Sequence, residues 1–226
     1  MDQAQIVRLG VFGAVLWSLE TRNRAFEKIR SLPPSASGAD LQIHHAIYFA
    51  HLLGAVEHIR EFIEDDEVGM RAFIENIKRG FERPAEFEYL RKIRNAIVER
   101  GLDASGAGAA DGAVSFVLCP EGGGDAPEFP VQSGVFPYTV DLACRCNAAT
   151  NAAIADVLED RHLFDTAAQL VSEDAVRAAI DQATVMPGWA KAVVTRAMEE
   201  RDFSEISADL AAFRVSRMHA LLGCAD

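Results

Sequence analysis

The sequence predicts a mainly α-helical bundle with a β-hairpin insertion and a C-terminal helical extension. Apolar residues recur at helical spacing over most of the 226 residues. Glycine-rich and other breaker-rich stretches gather between Asp103 and Ser133, flanking short strand-like runs. Helical patterning then resumes at Asp141 and continues to Leu222. Half of the residues are hydrophobic, enough apolar material to form a real core.

The first helix is expected from Asp2 to Arg30, ending before Pro33-Pro34. Its apolar run, Leu9 to Trp17, is too short to span a bilayer, which takes roughly 20 such residues. Asp2 stands where a secretory signal carries positive charge, so the run reads as a buried helix of a cytoplasmic protein, with no membrane partner. After the Pro33 to Gly38 loop, Asp40 is the expected N-cap of a second helix. Ile43, Ile47, Phe49, Ala50, Leu53, Ile59, Phe62 and Ile63 form its apolar face. Val68 to Arg79 continues the pattern and is closed by Gly80. Pro84 opens the next helix, which turns Phe87, Leu90, Ile93, Ile97 and Val98 inward and ends at Gly101.

The hairpin insertion is expected near 103–140, with strands at Val114–Cys119 and Val135–Val140 and Gly122-Gly123-Gly124 at its tip. An alanine-rich helix follows from Asp141 to Phe164. Three more are expected at Ser172–Val185, Trp189–Arg201 and Ser204–Leu222, separated by Pro187-Gly188 and stopped by Gly223. The junction Asp165-Thr166 has no linker composition. The expected organisation is therefore a core over residues 1–165 with residues 166–226 packed on it as an extension.

Acidic residues outnumber basic ones by 34 to 22, a net charge of -12. That balance opposes DNA binding and non-specific RNA binding over most of the surface, and leaves room for a basic partner or a local basic site. The stretch from Arg71 to Gly101 is such an island, with eight Lys or Arg against five Glu. It reads as a solvated helix face, and alternatively as a small-anion site using Arg91, Lys92 and Arg100. Cys119, Cys144, Cys146 and Cys224 lack zinc-ligand or paired spacing and read as free, buried thiols. His44, His51 and His58 repeat every seven residues along one stripe of the second helix. Residues seven apart are separated by about 10.5 Å of helix rise, too far to share one metal ion. They read as core or interface histidines, and neither metal nor cofactor is expected.

The run Tyr89 to Asp103 (YLRKIRNAIVERGLD) contains Arg94-Asn95 followed by Glu99-Arg100-Gly101. It resembles the arginine-polar-histidine motif of the HEPN superfamily, with Glu99 in the place of the histidine. The resemblance implies a helical homodimer, a toxin-antitoxin or defence setting, and a metal-independent RNA-cleaving site across the dimer. In that site Arg94 holds the phosphate and Asn95 supports it. The missing histidine removes the proton donor, and Glu99, an anion at neutral pH, repels a phosphate. The implied role is a non-catalytic or weakly catalytic interaction or regulatory protein with a protein or RNA partner. The alternative is a ribonuclease with Glu99 as general base. Arg94 is also placed to serve structurally, paired with Glu86, Glu99 or a partner subunit's carboxylate.

Overall fold

The computed structural model describes residues 3–31, 38–81, 86–88, 90–91, 94–95, 107–110, 113–116, 140–200 and 202–223. The chain is mainly helical. In order come α1 (Gln3–Ser31), α2 (Gly38–Phe62), α3 (Glu67–Arg79), a helical stretch containing 86–88, 90–91 and 94–95, β1 (Ala107–Ala110), β2 (Ala113–Phe116) and α4 (Val140–Asp160). A 3-10 turn (Thr166–Gln169), α5 (Glu173–Gln182), α6 (Gly188–Glu200) and α7 (Phe203–Leu222) complete it. Packing divides the chain into two units, one of residues 1–16 with 158–226, the other of residues 17–157.

Residues 17–157 hold the larger core. Leu19, Ala25 and Phe26 of α1, Tyr48, Leu52, Ala55 and Ile59 of α2, Phe73 and Ile77 of α3, and Ala149, Ala153 and Ile154 of α4 are buried together with Phe87 and Leu90. Of the expected α2 face, Phe49, Leu53, Ile59 and Ile63 are buried, whereas Ile43 is 55% exposed, and Tyr48, Leu52, Ala55 and Val56 widen the inward face. Asp40 is not the cap. The helix begins at Gly38, which puts that carboxylate in the first turn, where it complements the helix dipole. Asp66 caps α3, accepting a hydrogen bond from the Gly69 N–H at 2.8 Å.

The expected strand Val114–Cys119 overlaps β2, but its partner lies upstream. β1 and β2 pair antiparallel, Ala107 opposite Phe116 and Ala110 opposite Ala113. Between them stands Asp111-Gly112, a dipeptide type strongly favoured in two-residue hairpins. The second expected strand, Val135–Val140, is corrected at its end, where Val140 already begins α4; 135–139 and Gly122–Gly124 lie outside the described residues.

The histidine stripe is not a core feature: His44, His51 and His58 are half-buried, and the buried histidine is His45. His51 meets Trp17 edge-on, ring centroids 4.5 Å apart. Burial, followed by repulsion from His58, holds the His51 pKa below its ordinary 6.5. The folded state therefore takes up this proton less readily than the unfolded chain. The stabilisation is full above the ordinary value and declines as pH falls through it towards the lower folded value. Melting temperature is expected to drop between about pH 7 and pH 5, and less steeply in His51→Gln. Identical pH profiles in the two proteins would remove His51 as the cause.

In the other unit, Ile180, Met198, Ala211, Val215, Met218 and Leu222 form the core. Arg214 of α7 donates to the Leu9 carbonyl of α1 at 3.2 Å and lies over the Phe12 ring. Phe12 and Phe164 meet edge to face. Ser207 ties α7 to the backbone of Val171, accepting from its N–H at 2.9 Å and donating to its carbonyl at 3.1 Å. Ser172 caps α5, and Gly223 ends α7 at φ 75, a left-handed conformation that suits glycine.

Candidate functional site

Arg94 and Asn95 are both helical and half-buried. Arg94 Nη1 donates to Asn95 Oδ1 at 3.0 Å, and Arg94 Nε is buried without a hydrogen-bond partner. Among the described residues no carboxylate forms an ion pair with Arg94. The expected pairing with Glu86 is absent. Glu86 instead lies 3.9 Å from Arg145 of α4, and its second oxygen, Oε2, is buried without a hydrogen-bond partner. Lys92, Glu99 and Arg100 lie outside the described residues.

The described part of the basic island is held locally. Arg91 pairs with Glu88 at 3.1 Å, Lys78 with Glu75 at 3.1 Å, and Arg79 donates to Asn76 Oδ1 at 3.0 Å. Each is a one-turn interaction on an exposed helix face, the geometry of weak surface pairs.

A buried polar seam runs through the same unit, and sequence reasoning did not find it. Arg22 of α1 is 1% exposed. Its Nε and Nη2 donate to Asn23 Oδ1 at 3.0 and 2.8 Å, and its Nη1 donates to Asn151 Oδ1 of α4 at 2.9 Å. Among the described residues no carboxylate pairs with it. Burial pushes the guanidinium pKa down, while Tyr48 and Cys146 act the other way. One turn before Asn151, Asn147 accepts from the Tyr48 hydroxyl at 3.0 Å. Cys146, just before Asn147, is fully buried and its thiol is pushed up to about 12, so it is protonated and inert as a nucleophile. Cys144 is exposed, which corrects the expectation of a buried thiol there; Cys119 and Cys224 lie outside the described residues. The signal that was available is positional: Arg22 follows Val15 and Leu19 and precedes Phe26 at core spacing, a charge in an apolar stripe.

No family model, curated protein or solved structure matches the chain. Among the described residues no three His, Cys, Asp or Glu side chains are placed to hold one metal ion. No described helix is long and apolar enough to cross a membrane.

Proposed function

We propose that this chain is a HEPN-like helical interaction or regulatory protein that works without catalysis at its Arg94-Asn95 motif. The observation that carries the reading is the Arg94 guanidinium, with Nη1 bonded to the adjacent Asn95 amide oxygen and Nε buried. An arginine that stabilises a phosphorane must aim its N–H groups at the reacting oxygens. Here Nη1 is occupied by its own helix neighbour and Nε is buried. With Glu99 in the histidine position, the motif also lacks a group that donates a proton at neutral pH. Homodimerisation, a cytoplasmic location and a defence or toxin-antitoxin setting belong to the same proposal and come from the resemblance.

A second reading is metal-independent RNA cleavage, with Arg94 at the phosphate, Asn95 in support and Glu99 as base. It is favoured by one observation: no described carboxylate neutralises Arg94. Small-anion binding by the island has no such support, because Arg91 already meets Glu88. Labelled RNA incubated in EDTA with Glu99→His and with Glu99→His/Arg94→Ala separates these readings. A lapsed site predicts that Glu99→His cleaves at least about 100-fold faster than the native chain, the usual range for restoring a general acid or base. The added Arg94→Ala change is expected to abolish that gain. A Glu99→His protein that folds and stays inactive would detach the motif from any ribonuclease ancestry.

A further inference from the structure

We infer that the outer face of α3 is a docking surface for a basic amphipathic helix of a partner protein. A shallow groove of about 370 Å³ lies along this helix, lined by Glu64, Glu67, Met70, Arg71, Ile74 and Glu75. Its floor is apolar: Met70 and Ile74 are four residues apart and half-buried, while the inward face of α3 is satisfied by Phe73 and Ile77. Its rim is acidic. Glu64 and Glu67 are exposed and no described cation pairs with them, and Glu75 shares its charge with Lys78.

A helix laid in such a groove supplies apolar anchors at i and i+4 to Met70 and Ile74, and cations on its flanks to the glutamates. Methionine suits this role, since its unbranched side chain adapts to the anchor it receives. Charge complementarity chooses the occupant. A second copy of this chain, docked isologously through the same face, would set a lining of three glutamates and one arginine, net negative, against its own image, and the chain as a whole carries -12. A cationic segment meets no such penalty and gains from long-range attraction.

The inference deepens the interaction-protein reading by giving the partner's chemistry, and it is tested without RNA. A short fluorescein-labelled peptide with Leu at i, i+3 and i+4 and Lys elsewhere is titrated into the full chain by anisotropy. Saturable binding in the micromolar range is expected, weakened at least tenfold by Glu64→Gln/Glu67→Gln and by raised salt. Met70→Ser, which leaves every charge in place, is expected to weaken it comparably. Melting curves confirm that each variant is folded. Binding that none of these substitutions changes places the peptide elsewhere and overturns the proposal, as does absence of binding or self-association through this face. RNA cleavage by the native chain would undo the functional reading alone, and failure of this titration would undo the docking surface alone.

Discussion

Gly80→Ala is expected to destabilise the protein by about 1–3 kcal/mol, the range for adding a methyl to a filled core. Gly80 ends α3 in a right-handed conformation, φ -73 and ψ -8, so freedom to adopt a left-handed turn is not why it is needed. What requires it is proximity: a Cβ at this position would fall within 2.8 Å of the Ala149 Cα on α4. That atom is backbone and cannot swing aside, so α3 and α4 must separate. Separation loosens Phe73, Ile77 and Ile154, all fully or nearly fully buried. Ala149→Gly trims the opposing methyl and is expected to recover part of the loss when combined with Gly80→Ala, a coupling of roughly 1 kcal/mol in a double-mutant cycle. Thermal or denaturant unfolding of the four proteins measures it. Strict additivity would show that the two positions do not meet.

Arg22 gives the second large effect, and its direction depends on the replacement. Arg22→Ala removes the guanidinium and its stem from a site only 1% exposed, leaving a cavity and taking donors from Asn23 and Asn151. A loss of about 3–5 kcal/mol is expected, comparable to other large-to-small changes in a core. Arg22→Met fills most of the volume. It still removes hydrogen bonds from two amide oxygens, but also a buried cation that no described carboxylate compensates, and burying such a charge is costly. Arg22→Met is therefore expected to retain at least about 2 kcal/mol of what Arg22→Ala loses, measured by chemical denaturation. Equal losses in the two variants would mean that the guanidinium's hydrogen bonds outweigh its packing and its desolvation.

Local signals in the sequence translated well where the cause is local. Gly223 ends α7 in the left-handed region, Ser172 opens α5, and Gly80 ends α3 as the breaker pattern suggests. The strand pairing was less legible, since β1 lies upstream of Val114–Cys119 while the longer apolar runs lie downstream. The full width of the α2 face was likewise less legible, since Ile43 and Tyr48 are both apolar and only packing against α1 and α4 selects between them. The grouping of residues 1–16 with 158–226 is a long-range fact, made by Arg214 reaching Leu9 and Phe164 meeting Phe12. At the motif, sequence spacing gave Arg94 and Asn95 a shared helix but not the hydrogen bond between them. Glu86 does not pair with Arg94, while Arg145, 51 positions on from Arg94 in sequence, meets that carboxylate through the fold.

The central claim, that Arg94 and Asn95 sit on a protein that binds rather than cleaves, is tested most directly by the rate at which the native chain cuts labelled RNA in EDTA, beside Arg94→Ala. The account predicts a rate equal to that of buffer alone for both proteins. Cleavage by the native chain that Arg94→Ala abolishes would contradict it and establish the motif as an active site.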